Sequence, residues 1–112
     1  MNDRLPTSVI ASALIRRVND AGGFATLRAR GDAQGGALLL IATAQGASPK
    51  LFERGIGASG TVQPINSTPT DDSMENIEEY WRKRRVSDPD LWIIELDGPD
   101  AERFAVETLS CR

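Results

Sequence analysis

Apolar residues recur with helical spacing in two long stretches of this chain. In five shorter stretches they alternate or run together as in strands. Ile10, Leu14 and Val18 repeat every four residues, and Val9 and Ala13 widen the stripe, which predicts a helix over residues 7–21. Pro6 sits just outside it, Thr7 or Ser8 can cap it, and Gly22-Gly23 ends it. Residues 24–30 then alternate, with Ala25, Leu27 and Ala29 on one side and Thr26, Arg28 and Arg30 on the other, as in a strand with one wet face. Residues 37–42 are apolar without a break, which fits a central strand covered on both sides or a short buried helix. The glycine-rich residues 31–36 between these two segments read as a hairpin loop.

Residues 50–56 and 60–65 form a second, weaker hairpin pattern, in which Pro64 belongs at an edge because it cannot donate to a ladder. A polar loop over residues 66–72 leads to a second helix over residues 73–86. Asp72 and Glu75 there have capping-box spacing, and Met74, Ile77 and Trp81 form the apolar stripe. The turn Asp88-Pro89-Asp90 opens a fifth strand, Leu91 onward, whose β-branched and aromatic composition demands burial. Trp92 is expected to lie against the second helix near Ile77 and Trp81, and Trp92→Ala to cost about 3–5 kcal/mol. Residues 100–109 read as a short helix with Phe104, Ala105 and Leu109 inward, or as an extended edge. The pattern implies one α+β domain spanning the chain, with a mostly antiparallel sheet of about five strands and two main helices on one face.

Composition narrows the chemistry. At 112 residues, 40% hydrophobic and 26% charged, the chain is of ordinary globular make-up and long enough for a core. With no histidine, it cannot build Ser-His-Asp triads, Cys-His dyads or histidine zinc sites. Its single cysteine, Cys111, cannot form an intrachain disulfide and fits a reducing compartment. The apolar N-terminal stretch is short and interrupted by Arg16 and Arg17, so a cytoplasmic protein without a membrane segment is the expectation. A net charge of −3 is mild and gives no reason to expect a polyanionic partner for the whole molecule.

Four local features invite chemical readings. The loop over residues 31–36 resembles a phosphate loop only in its glycines; it should join strand to strand and lacks a Lys-Ser/Thr pair, so a plain hairpin is favoured. Arg82, Lys83, Arg84 and Arg85 form the one dense basic cluster, a candidate phosphate or nucleic-acid patch with Arg16 and Arg17. The same charges also complement the helix dipole, and Glu78–Arg82 and Glu79–Lys83 have favourable i,i+4 order. On the dipole reading Arg84 is an exposed helix-end charge. Glu95 and Asp97 share one face of the last strand and could hold a divalent ion with Asp88 and Asp90, or simply form its solvent face. Trp81, Trp92 and Tyr80 read as core anchors before ligand-stacking groups.

Three segments, taken in order, resemble a family of small alphaproteobacterial proteins, domain-of-unknown-function family 1491. They are Leu14-Ile15-Arg16-Arg17, then Gly31-Asp32 to Gly35-Gly36-Ala37 running into the aliphatic strand, and Asp88-Pro89-Asp90-Leu91-Trp92-Ile93-Ile94-Glu95. The resemblance implies a short bacterial, cytoplasmic protein and carries no activity, cofactor or catalytic residues. From Arg54 to Gly60 the chain is richer in glycine and poorer in apolar residues than the family pattern.

No catalytic, metal or cofactor residues are assigned from the sequence. The leading expectation is a non-enzymatic binding or protein-interaction module, as a homodimer or with another protein, since two helices on one face leave apolar sheet surface to cover. The alternatives are a nucleic-acid or phosphate binder using Arg82 to Arg85, and a metal site or enzyme around Glu95 and Asp97.

Overall fold

The computed structural model describes residues 5–110; Cys111 lies outside them. Elements follow in the order α1 (Thr7–Asp20), β1 (Phe24–Ala29), β2 (Leu38–Ala44), β3 (Ala47–Ile56), β4 (Val62–Asn66), α2 (Met74–Ser87), β5 (Trp92–Asp97) and α3 (Ala101–Ser110). The five strands form one sheet in the order β1-β5-β2-β3-β4, antiparallel except for the β2–β5 pair. The fold is thus α+β, and the tail is a third helix.

The expected hairpin between the first two strands does not form. The last strand, β5, lies between β1 and β2, pairing antiparallel with one and parallel with the other. The reason lies in composition. In β2 and β5 nearly every position from Leu39 to Thr43 and from Trp92 to Leu96 is buried, so both need cover on both faces and take the centre. No residue of β1 is fully buried, and it takes an edge. The hairpin that does form joins β2 to β3. Its two-residue turn, Gln45-Gly46, has positive φ at both positions (55° and 73°), the type I′ geometry that matches strand twist. The β3–β4 hairpin forms as expected.

The helices also divide differently from expectation. α1 and α3 pack on one face, over Leu40, Ala42, Phe52, Trp92, Ile94 and Leu96. α2 packs on the other, where Ile77 and Trp81 meet Leu39, Ile41, Leu51, Leu91 and Ile93. Side-chain alternation along β5 therefore puts Trp92 on the face opposite Ile77 and Trp81, against α1 and α3. It is buried as expected, at 2% exposure, but in the other half of the core. With both faces covered, the uncovered sheet face that argued for self-association is absent.

Local signals account for the helix ends. At the end of α1, Gly22 (φ 87°) and Gly23 send their amides back to the Asn19 and Val18 carbonyls, the Schellman arrangement that glycine favours. Its start has no side-chain cap: Pro6 is the N-cap, and the Thr7 and Ser8 amides donate to the Gln34 and Ala33 carbonyls of the distant loop. Its buried stripe is Thr7, Ala11, Leu14 and Val18, so the expected Val9 and Ala13 face outward instead. The cap of α2 is Ser73, whose hydroxyl accepts from the Asn76 amide; the Asp72–Glu75 box is not used.

Candidate functional site

Half of the basic cluster at the end of α2, Arg84 and Arg85, is turned inward, while Arg82 and Lys83 stay exposed. Arg84 Nη1 lies 2.8 Å from both carboxylate oxygens of Glu53 on β3. It is only 32% exposed, so it is not the free helix-end charge expected. Arg85 donates to the Leu91, Pro89 and Arg30 carbonyls at 2.9–3.0 Å, tying α2 to the turn before β5 and the end of β1. Arg82 and Lys83 do form the i,i+4 pairs with Glu78 and Glu79.

Glu95 points to the α2 face, and Asp97, at the end of β5, is half-buried, so the two do not form an open solvent face. Alternation from Thr26, opposite Glu95, puts Arg28 on the α2 face, where it bridges Glu95 (2.7 Å) and Glu78 and lies over the Trp81 ring; the β-bulge between Leu27 and Ala29 brings Ala29 onto that face as well. Arg28 donates a hydrogen bond to Glu78, and this is the largest cause holding that carboxyl below its ordinary range. Asp97 does not join this network, and its Oδ1 is buried without a hydrogen-bond partner among the described residues. No group of three or more acidic or thiol side chains among those residues has metal-holding geometry.

The glycine loop and the Asp88–Trp92 segment, far apart in sequence, meet at the start of β5. The Asp32 amide donates to the Asp90 carbonyl (3.0 Å), and the Trp92 indole N–H donates to the Asp32 carbonyl (2.8 Å). A Cβ on Gly31 or Gly36 would overlap the Asp90 carbonyl oxygen, so close backbone approach is what these glycines permit. The Asp32 carboxylate accepts from the Gln34 and Gly35 amides and shapes the loop. Thr7 Oγ1 donates to the Gly36 carbonyl (2.8 Å), so the loop also caps α1.

Beside this junction lies a cleft of about 490 Å³. Four separate segments wall it: the start of α1, the loop into β2, the middle of β3 and the end of α3. Leu5, Pro6, Ile10, Leu38 and Leu109 give it apolar surface; Gln34, Arg54 and Thr108 bring polar groups. Arg54 is held by its Nε, which donates to the Leu109 carbonyl at 2.7 Å. Glu53, the one acidic residue on the wall, has both oxygens on Arg84.

Of the features singled out from sequence chemistry only the glycine loop reaches this cleft, through Gln34, Gly35 and Gly36; the basic cluster and the acidic pair do not line it. The available signal was Arg54 itself. Alternation along β3 puts Lys50, Phe52, Arg54 and Ile56 on the α1/α3 face; Lys50 pairs with Glu102 of α3, whereas Arg54 has no acidic partner among the described residues.

Among the described residues no helix is long and apolar enough to cross a membrane. Comparison with curated proteins finds no match. A crystal structure of a DUF1491 family protein from Caulobacter crescentus CB15 superposes with TM-score 0.77 at 28% identity, covering 90% of this chain and 94% of that one. An NMR structure of a DUF1491 family protein from the same organism gives 0.75 at 28% identity, over 90% and 92%. A solution structure of an A. tumefaciens protein shares the fold, with TM-score 0.74 at 23% identity over 92% and 93%. The model of the family described as "Protein of unknown function (DUF1491)" matches residues 5–106, and the chain belongs to that family.

Proposed function

We propose that this protein is a non-enzymatic binding module whose ligand seats in the cleft between the start of α1 and the end of α3. The observation that carries this reading is the convergence of four chain segments on one concavity of about 490 Å³. That volume lies within the roughly 300–1,000 Å³ typical of ligand sites, and the mixture of apolar wall and few polar groups is also typical. The ion-pairing of Glu53, Glu78 and Glu95 with arginines leaves those carboxylates poorly placed for acid–base work. The inward engagement of Arg84 and Arg85 likewise weakens the nucleic-acid alternative.

A ¹H–¹⁵N titration with a fragment mixture tests the reading. Amide shifts are expected to cluster at Gly36, Leu38, Arg54 and Leu109. They should disappear in Ala37→Trp, which fills the cleft from an exposed wall position. Shifts scattered elsewhere, or unaffected by Ala37→Trp, would sink it.

Self-association is the second reading, and it rests on a different observation from the one expected. Phe24 is 73% and Leu27 41% exposed on the edge strand β1. Pairing of β1 with its copy would cover both. The Asn19 side chain, which accepts from the Ala25 amide, already occupies part of that edge and makes this the weaker reading. Sedimentation at micromolar to millimolar concentration should then show a dimer that Phe24→Lys abolishes; a monomer throughout would end the idea.

A further inference from the structure

We infer that the cleft recognises a carboxylate carried on an aliphatic chain, with Arg54 as the group that reads the carboxylate. This rests on the cleft being the ligand site and goes beyond it by naming the ligand's chemistry. Arg54 Nε is committed to the Leu109 carbonyl, which fixes the guanidinium at the cleft wall. Its two terminal nitrogens make neither a salt bridge nor a side-chain hydrogen bond among the described residues. A guanidinium so held offers parallel N–H donors to a planar anion. Its immediate neighbour on the strand cannot supply that anion, because Glu53 faces the other side of the sheet and is held by Arg84.

The rest of the wall selects what the anion is attached to. Leu5, Ile10, Leu38 and Leu109 present aliphatic surface without an aromatic ring, which suits a flexible hydrocarbon chain better than a stacked base or flat ring. Further along β3 on the same face come Ile56 and its cross-strand partner Val62, 68% and 64% exposed. They extend the apolar track past Arg54. A phosphate ester is a poorer fit, since one guanidinium would meet its two charges and the amides at the start of α1 are taken by loop carbonyls.

Two sources present this chemistry, a free aliphatic acid and the C-terminus of an apolar peptide. The test titrates ¹⁵N-labelled full-length protein with octanoate, octanol, and a leucine-rich tetrapeptide as free acid and as amide. Octanoate or the free-acid peptide should shift the Leu38, Arg54 and Leu109 amides and bind at least tenfold more tightly than its uncharged counterpart. Whichever acid binds more tightly identifies the source. Arg54→Gln should weaken the preferred acid roughly ten- to a hundredfold, the range of a charge-assisted hydrogen bond, and leave octanol within about twofold. Because Arg54 also anchors α3, Leu5→Glu is the second variant. It adds a like charge at a 58%-exposed wall position and should weaken the acid more than octanol. Equal binding of acid and uncharged counterpart at the cleft would overturn carboxylate recognition while leaving the cleft as a ligand site. Binding of neither acid at the cleft would overturn it too, and the fragment titration then decides the cleft separately.

Discussion

Three glycines in one loop meet three different surroundings, and only the surroundings say which can change. Gly31 and Gly36 stand against the Asp90 carbonyl and the Trp92 ring, whereas nothing lies within 4 Å of a Cβ built on Gly35. Neither Gly31 nor Gly36 has a positive φ, so the constraint is contact and not backbone conformation. Alanine at either position must push the loop off β5, and with it the Trp92–Asp32 hydrogen bond and the carbonyls that cap α1. Gly31→Ala and Gly36→Ala should each cost about 2–4 kcal/mol, as overpacking against a backbone that cannot retreat. Gly35→Ala should stay within about 0.5 kcal/mol of wild type. Urea denaturation of the three variants checks this, and a tolerant Gly36→Ala would mean the loop is free to move. From sequence alone these glycines read as hairpin punctuation, because the strand they avoid comes more than fifty residues later.

At the scale of elements, α2 is fastened to the sheet at three points by arginines whose partners lie on other elements. Arg28 of β1 reaches Glu78 of α2 and Glu95 of β5, Arg84 reaches Glu53, and Arg85 holds the turn before β5. The helices themselves were legible: the i,i+4 pairs of α2 and the inward Phe104, Ala105 and Leu109 of α3 follow from spacing. Their fastenings were not. Alternation did set Arg28 on the face opposite Leu27, but the wet face assigned to it proved to be the α2 interface, and the bulge that carries Ala29 onto that face leaves no mark in the pattern. The Arg28 bridge has a pH signature. Arg28 lowers the Glu78 pKa, so the pair's stabilisation is fully present above the unfolded carboxylate value of 4.5 and is lost as pH falls through the lower, folded one. Arg28→Met should be less stable than wild type by about 1–2 kcal/mol at neutral pH. The gap should narrow on acidification below 4.5. Thermal unfolding of both proteins across that range checks it; a gap independent of pH would assign the loss to packing on Trp81.

For the whole molecule, the order in which strands sit departs furthest from the order in which they are read. Five strands and two periodic helices were visible as local patterns; β2 announced itself as central by its unbroken apolar run, and β5 as buried by its aromatic and β-branched residues. Their adjacency was not visible, because pairing across more than fifty residues has no local signature. The cleft was hidden for the same reason, as its four walls come together only when β5 and α3 dock. This topology makes β5 the piece on which the rest depends. It supplies the neighbour of β1, half the neighbours of β2, and rows of core side chains to both faces. Without it β1 has no partner, and the apolar rows Leu39–Ile41 and Leu40–Ala42 lose the surface they pack on. Native-state hydrogen exchange should therefore find the hydrogen-bonded amides of β2 and β5 slowest, opening only with global unfolding. The β3–β4 turn, closed by the Gly57–Thr61 backbone bond at an exposed tip, should exchange several orders of magnitude faster. A chain shortened to residues 1–87 should be unfolded by circular dichroism, despite retaining four of the five strands and two helices. If that fragment instead gave a dispersed amide spectrum, β2–β4 with α2 would be a folding unit of its own, and β5 would be an addition to a core that already stood.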